Sequence, residues 1–243
     1  MTAVVVGASS GLGRALAYEL ARYGHALLLV ASDERDIDAI AADLRIRYGA
    51  NVRTVAFDLA GVADPGARLV AALEGLPPLA NLLLPAGMSR SDDDLGLEPR
   101  RIGELLAINL HAPLAIVHAL LPRLRDARGA VVLFSSIAAV RGRGRNVVYA
   151  AAKRGIESFA ESLRQRHAPG ELRVQLYRLG FLATNLTHGL DVPMAAACPA
   201  DVARAVVERL PGGSGRWYLP RRFALIAAIV RLLPWPLFRR MRS

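Results

Sequence analysis

The chain has few cysteines, few histidines and almost no lysine, and each shortage excludes a class of site. Cys198 is the only cysteine, so no internal disulfide can form and a reducing compartment such as the cytoplasm is expected. We interpret Cys198 as a packing residue rather than a catalytic thiol. The five histidines are not spaced as metal ligands usually are, so no metal site is predicted. The sequence carries no nucleic-acid-binding motif, and we predict no nucleic-acid partner.

Apolar runs and helical patterns alternate along the chain, which is typical of a parallel sheet with right-handed crossovers. A length of 243 residues is enough for one α/β domain with a large core. No secretory signal is expected, since Met1 leads almost directly into the first strand. Strands are predicted at 2–7, 26–31, 52–57, 82–86, 131–135, 174–178 and 216–219, and helices at 12–23, 34–48, 64–74, 99–121, 147–167 and 200–210.

Lysine is the rarest basic residue: 31 positions hold Lys or Arg, and only Lys153 is a lysine. Because arginine fills every other basic position, the single lysine indicates a site that needs a compact ammonium group on a flexible side chain rather than a guanidinium group. Tyr149 lies four residues earlier, so the two side chains would share one face of a helix. A cation beside the phenol would lower its pKa toward working pH and make it a general acid or base. The alternative is a surface Tyr149 and a solvated Lys153 with no common role.

Two upstream segments carry groups that suit such chemistry. Ser136 follows the predicted strand 131–135, and ligands of open α/β sheets bind outside the carboxyl ends of strands. A serine there can donate a hydrogen bond to a substrate carbonyl, the alternative being a helix or turn cap. The glycine-rich segment 7–13 follows the first strand and opens the first helix. Glycines let the backbone approach a pyrophosphate, which the helix N–H groups then face, so a dinucleotide site is predicted.

Together these residues resemble the short-chain dehydrogenase/reductase family over residues 4–219. The family's catalytic Ser, Tyr and Lys match Ser136, Tyr149 and Lys153, and its helical Asn matches Asn109. The resemblance implies an NAD(P) cofactor that contacts Gly7, Ser9, Ser10, Gly11, Leu12, Gly13, Ser32, Asp58, Leu59, Ala86, Gly87, Tyr149, Lys153, Gly180, Leu182 and Thr184.

The resemblance also implies a fold and an assembly. The expected fold is α/β: a single-domain Rossmann sheet of about seven parallel strands, doubly wound, with helices on both faces. It would occupy residues 1–220, and a basic, apolar tail would follow in residues 221–243. The helices at 99–121 and 147–167 would form the interface of a homodimer or homotetramer.

Three positions depart from the family's pattern. Val6 stands where the family has Thr, and Leu179 stands where it has Pro. Residues 84–87 read Leu-Pro-Ala-Gly in place of Asn-Asn-Ala-Gly. A proline inside a central strand cannot donate to the hydrogen-bond ladder. We therefore expect the change at 84–85 to alter the shape of the cofactor pocket near the adenosine.

The residues after the second predicted strand favour NADP over NAD. An acid at Ala31 would bind the ribose 2′-hydroxyl of NAD, and a basic residue at Ser32 would favour NADP; neither is present. Ser32 and Arg35 could accommodate a 2′-phosphate, whereas Asp33 would repel it.

Two regions are predicted to define the substrate. The loop 141–145 reads Arg-Gly-Arg-Gly-Arg and lies between Ser136 and Tyr149. Arginines bind phosphate and carboxylate well, so the loop predicts an anionic substrate group, the alternative being a solvated loop. The irregular segment 184–199 is predicted to be a substrate lid.

The C-terminal tail is basic and apolar, since no acidic residue follows Glu208 whereas eight arginines do. Its apolar run starts at Phe223 and is interrupted by Arg231 and two prolines, so it is too short to span a bilayer but suits a membrane interface. The alternative is a C-terminal helix packed on a partner subunit. The tail and the Arg-rich loop resemble the branch of the family that includes polyprenylphosphoryl keto-sugar reductases. This resemblance implies contact with the inner face of the membrane and a lipid-linked substrate.

The predicted function is an NAD(P)-dependent oxidoreductase that interconverts a ketone and a secondary alcohol, acting on a lipid-linked or anionic substrate. By resemblance, Ser136 would hold the carbonyl oxygen, Tyr149 would protonate it, and Asn109 would hold a water that relays protons to Lys153. A soluble ketoacyl, steroid or sugar dehydrogenase is the first alternative. A non-catalytic, nucleotide-binding scaffold is the second, and the intact catalytic set argues against it.

Overall fold

Seven parallel strands form one sheet in the order β3-β2-β1-β4-β5-β6-β7. The structure, a computed structural model, describes residues 1–168, 170–184 and 195–240. The strands are β1 (Thr2–Val6), β2 (Ala26–Ala31), β3 (Val52–Ala56), β4 (Leu79–Leu84), β5 (Ala130–Ser136), β6 (Arg173–Leu179) and β7 (Gly215–Leu219). The order reverses between β1 and β4, and ligands of such sheets bind at this switch point.

Helices cover both faces of the sheet, as the doubly wound fold predicted. They are α1 (Gly11–Arg22), α2 (Glu34–Tyr48), α3 (Pro65–Ala72), α4 (Pro99–Leu106), α5 (Ala112–Asp126), α6 (Val147–Arg166), α7 (Pro199–Val207), α8 (Phe223–Leu232) and α9 (Trp235–Phe238). A π-helical turn (Ala107–His111) joins α4 to α5, and a 3₁₀ turn (Ile137–Val140) follows β5.

The sheet separates two apolar cores, because its central strands are buried on both sides. One core contains side chains of α1, α2 and α7, such as Leu16, Ile37 and Val206. The other contains side chains of α3, α5 and α6, such as Leu69 and Leu120. The predicted fold class is confirmed.

The main differences from the sequence-based predictions concern β4, the stretch 99–121, the C-terminal segment and Cys198. β4 was predicted at 82–86 but runs from Leu79 to Leu84, so Pro85 follows the strand and removes no ladder bond. The predicted helix 99–121 is divided by the π-helical turn. α8 and α9 lie in the tail, where a helix was only the alternative interpretation and no helix bounds were predicted. Cys198 is exposed because it precedes the first turn of α7, so its prediction as a packing residue is wrong.

The helical stretch 99–126 is long and apolar enough to cross a membrane by length and composition alone. Its inner face is packed against the sheet: Leu105, Ile116 and Leu120 are fully buried. This burial is typical of the core helix of a globular domain.

Candidate active site

The glycine-rich turn between β1 and α1 forms a cradle that has no room for side chains. Gly7 has φ +94°, and a Cβ there would lie 2.8 Å from the Cα of Ala86. A Cβ on Gly13 would lie 1.8 Å from the carbonyl oxygen of Gly7. Within the described segment 1–168, no side chain caps α1 and no acid lies in its first turn. The free N–H groups and the positive end of the helix dipole therefore fit a pyrophosphate.

The adenosine side of the cradle lies at the ends of β2 and β3. Ala31 ends β2, and Ser32 and Arg35 follow it on the surface. The carboxylate of Asp33 caps α2 by accepting a hydrogen bond from the N–H of Asp36 at 3.1 Å. Asp58 lies just beyond β3 and accepts a hydrogen bond from the N–H of Ala60 at 2.9 Å.

The predicted nicotinamide end of the cradle lies where the loops after β4 and β6 meet the glycine turn. A Cβ on Gly87 would lie 3.2 Å from Oδ1 of Asn109 and 3.3 Å from Nζ of Lys153. A Cβ on Gly11 would lie 2.9 Å from Cγ2 of Thr184. The residues predicted to bind the cofactor thus lie along the carboxyl edge of the sheet, and those near the nicotinamide border the predicted catalytic residues.

Ser136, Tyr149 and Lys153 come together at this edge. Ser136 is the last residue of β5, and the other two lie one turn apart on α6. The Ser136 side chain lies close enough to the Tyr149 hydroxyl to lower the pKa of that phenol. Nζ of Lys153 lies 5.8 Å from the centre of the Tyr149 ring. The predicted catalytic trio is therefore a spatial cluster.

Burial dominates the electrostatics of this cluster. It raises the pKa of Tyr149, and the nearby Ser136 side chain opposes that rise only in part. It also lowers the pKa of Lys153 to about 8. The cost of burying a phenolate is thus the largest effect on the pKa of Tyr149, and the prediction that Lys153 lowers this pKa stays a prediction.

Asn109 lies in the π-helical turn, and its side chain is fully buried. Its amide nitrogen donates to the carbonyl oxygens of Met88 at 2.7 Å and Leu105 at 3.0 Å. Its amide oxygen accepts from the N–H of Met88 at 3.2 Å. In the described structure this side chain therefore fixes the segment after Gly87, and the water relay stays a prediction.

Asp93 is a site residue that sequence reasoning missed. It is 1% exposed, and its two carboxylate oxygens accept hydrogen bonds from the N–H groups of Val148 and Tyr149, each at 2.9 Å. The residue at the helix start, Asn146, makes no side-chain cap. Asp93 thus caps α6 from a loop that is distant in sequence, and no local capping pattern reveals it.

A cavity of about 710 Å³ begins at Ile137, the residue after Ser136, and the C-terminal helices form part of its wall. Ser136, Tyr149 and Lys153 are not among its lining residues. Phe223, on α8, lies against Gly180, where a Cβ would meet its ring at 2.1 Å. The lining is mostly apolar and comprises Ile137, Val140, Arg141, Gly142, Arg143, Gly144, Phe181, Phe223, Ile226, Val230, Trp235, Phe238 and Arg239.

The three arginines of the predicted anion-binding loop have different environments. Arg141 ties the loop to α8: its Nη1 donates to the carbonyl oxygens of Val230, at 3.0 Å, and Leu233. Arg143 lines the cavity, burial lowers its pKa, and no acidic side chain in the described ranges forms an ion pair with it. Arg145 is exposed. Of the predicted lid, 184–199, residues 185–194 lie outside the described residues.

Comparisons with known proteins agree with this geometry. The family model described as short chain dehydrogenase matches residues 1–193. An uncharacterised oxidoreductase of Mycobacterium tuberculosis is 28% identical and covers 98% of this chain and 96% of its own. Dehydrogenase/reductase SDR family member 13 of Bos taurus is 34% identical over 100% of this chain, which spans 59% of the bovine protein.

A solved structure agrees as well. The short-chain dehydrogenase from Sphingobium yanoikuyae in complex with NADPH superposes with a TM-score of 0.82 at 26% identity and covers 100% of this chain and 96% of its own. The predicted family and enzyme class are confirmed: the chain belongs to the short-chain dehydrogenases and is an oxidoreductase that uses NAD(P).

Proposed function

We propose that the protein interconverts a ketone and a secondary alcohol, with Ser136, Tyr149 and Lys153 as the catalytic residues. The observation that carries this proposal is the clustering of the three side chains: Ser136 ends β5, and the buried Lys153 lies one turn from Tyr149 on α6 with its Nζ 5.8 Å from the centre of the Tyr149 ring. The cofactor, when bound, supplies or accepts the hydride.

Ser136 would donate a hydrogen bond to the substrate oxygen, and Tyr149 would transfer the proton. Because burial raises the pKa of Tyr149, its hydroxyl keeps its proton at neutral pH and is ready to protonate a carbonyl oxygen during reduction. Lys153 would bind the ribose of the cofactor.

NADP is the proposed cofactor, and Arg35 is the residue proposed to bind its 2′-phosphate. The acid that would bind the 2′-hydroxyl of NAD is absent, since Ala31 ends β2. The carboxylate of Asp33 is engaged as the cap of α2, while Ser32 and Arg35 are exposed beside it. Arg35→Gln should therefore weaken NADPH binding and leave NADH binding unchanged.

The proposed substrate has an apolar portion and an anionic group. An apolar cavity of about 710 Å³ suits a large apolar substrate. Arg143 is half-buried in its lining without an acidic partner among the described residues, and partial burial of an unpaired charge is costly. A phosphate or carboxylate of the substrate would supply that partner, as in a lipid-linked sugar.

The proposed location is the cytoplasm, at the inner face of the membrane. α8 and α9 expose large apolar side chains away from the cavity: Leu225, Ile229, Leu232 and Leu237. Exposed arginines surround them: Arg221, Arg222, Arg231, Arg239 and Arg240. This combination suits the interface of an anionic bilayer. We also propose that the catalytic domain ends at residue 220 and that the tail follows it. The protein is proposed to form a homodimer or homotetramer through α4, α5 and α6.

The test of the reaction begins with the quenching of NADPH fluorescence and continues with a panel of ketones. We expect the wild type to bind NADPH and to oxidise it when a suitable ketone is added. Cofactor binding without turnover on neutral, anionic and lipid-linked ketones would favour the scaffold alternative.

The substrate class is tested with Arg143→Gln, and Arg145→Gln serves as the matched control on the same loop. Loss of a charge-assisted hydrogen bond should raise the KM for anionic ketones about 10- to 100-fold. Neutral ketones should be unaffected, and the control should resemble the wild type. An equal effect on both kinds of ketone would refute anion recognition.

Membrane contact is tested by sedimentation with anionic and neutral liposomes. The pair Leu232→Ser and Leu237→Ser removes two outer apolar side chains without touching the cavity lining. Ile46→Ser, an equally exposed apolar residue on α2, is the control. We expect the pair, but not the control, to lose binding to anionic liposomes, and wild-type binding to weaken as salt rises. If the wild type does not sediment, the outer face is a subunit contact.

A further inference from the structure

A buried polar network lies directly beneath the proposed catalytic residues. Ser135, Glu157 and Arg178 are only 2%, 3% and 2% exposed. Oε1 of Glu157 accepts hydrogen bonds from Oγ of Ser135 at 2.7 Å and from Nε of Arg178 at 2.6 Å. The Arg178 guanidinium also donates to the hydroxyl of Tyr218. All four belong to different elements: β5, α6, β6 and β7.

Each member of this network is a close neighbour of the site. Ser135 precedes Ser136 in β5, and its hydroxyl lies 3.3 Å from the carbonyl oxygen of Lys153. Glu157 follows Lys153 by one turn of α6. Arg178 pairs with Ser135 across the sheet. The network therefore joins the helix that carries Lys153 to the strand that carries Ser136.

Stability alone does not explain such a group. The cost of removing two charges from water offsets their attraction, and well-packed apolar residues of similar volume often stabilise a protein more than a buried ion pair does. A carboxylate that must meet Ser135 and Arg178 together has only one suitable position along the sheet. A displacement of α6 by one residue would move Lys153 by about 1.5 Å and break these bonds.

We propose that Glu157 and Arg178 are positioning residues, which fix α6 along its axis so that Lys153 and Tyr149 face Ser136. The inference rests on the proposed catalytic roles of those three residues. A misplacement of about 1 Å can reduce turnover about 100-fold. The network thereby sets the geometry of proton transfer without touching the substrate or the cofactor.

The test separates position from stability with the double variant Glu157→Leu/Arg178→Met. Removing both charges avoids the unpaired charge that either single change would leave, so the double variant should unfold at a temperature close to that of the wild type. We expect kcat to fall about 10- to 100-fold, while KM changes little. Glu161→Gln, which alters an exposed acid one turn further along α6, is the control and should behave as the wild type.

A second readout does not depend on turnover. Because Lys153 is the only lysine, incorporation of isotope-labelled lysine gives a single NMR signal that reports its titration. We expect that titration to shift in the double variant and to be unchanged in the control. An unchanged titration would overturn the inference even if the fold is intact. A wild type that reduces no ketone would instead refute the proposed function, and the Lys153 signal would still decide the positioning role.

Discussion

Replacement of Lys153 by an uncharged residue should stabilise the protein while it abolishes the proposed chemistry. The side chain is 5% exposed, and burial lowers its pKa from 10.5 to about 8. A change of one pKa unit corresponds to about 1.4 kcal/mol, so the charged form costs about 3 kcal/mol below pH 8. Lys153→Met keeps an unbranched chain and removes the charge. Allowing for imperfect packing, we expect it to raise the free energy of unfolding by about 1–3 kcal/mol at pH 7.

The stability gained by Lys153→Met should decrease as pH rises. The folded protein loses the Lys153 proton near pH 8, whereas the unfolded chain keeps it until about pH 10.5. Between these values the unfolded state binds more protons, so the stability of the wild type relative to the variant rises with pH. The advantage of Lys153→Met should therefore be complete at pH 7 and disappear toward pH 10.5.

Thermal unfolding of matched variants at several pH values measures this difference. A gain of 1 kcal/mol should raise Tm by about 2–4 °C in a domain of this size. Lys153→Arg keeps the charge, is bulkier, and should gain no stability while losing most turnover. Arg164→Met removes an exposed charge from the same helix and should change Tm little. A Lys153→Met variant that is less stable at pH 7, or whose advantage does not vary with pH, would refute the reasoning.

Three further predictions concern the site. Tyr149→Phe should lower kcat by about 10²- to 10⁴-fold, measured in steady state, and leave the NADPH dissociation constant almost unchanged, since only a proton donor is lost. Gly13→Ala should abolish NADPH binding because its Cβ would lie 1.8 Å from a carbonyl oxygen, whereas Gly103→Ala, which has open space, should not. Asp93→Ala should lower the free energy of unfolding by about 1–3 kcal/mol in chemical denaturation and also lower kcat, because α6 loses its cap; an unchanged kcat would contradict its place in the site.

The sheet could be predicted from the sequence because each strand is a local signal. β2 is a continuous apolar run, and its predicted bounds match the structure. β4 was misplaced because the buried polar Asn81 interrupts its first half and Pro85 extends the apolar pattern past its end. The π-helical turn at Asn109 leaves no mark on the 3.6-residue period, so helix 99–121 was predicted as continuous.

The site was only partly predictable, because its supports are contacts between distant segments. The trio Ser136, Tyr149 and Lys153 has a fixed order and spacing, which sequence analysis can recognise. Asp93 is part of a run of three acids that resembles a solvated loop, and its role exists only because the loop folds back onto α6. Glu157 is likewise an ordinary acid of an amphipathic helix until Arg178 is placed opposite it.

The amino-acid composition of the C-terminal segment fits a membrane contact and a protein contact equally well, and the structure shows why. Neither interpretation placed any of the apolar residues against the catalytic domain. In the structure, Phe223 and Ala227 are buried at the catalytic domain, while Leu225, Ile229 and Leu232 alternate with them on the outer side. A helix that is apolar on both sides can pack inward and still present an apolar surface. The inner face of α8 already packs against the catalytic domain and forms the cavity wall. A membrane or a second subunit could therefore contact only its outer face.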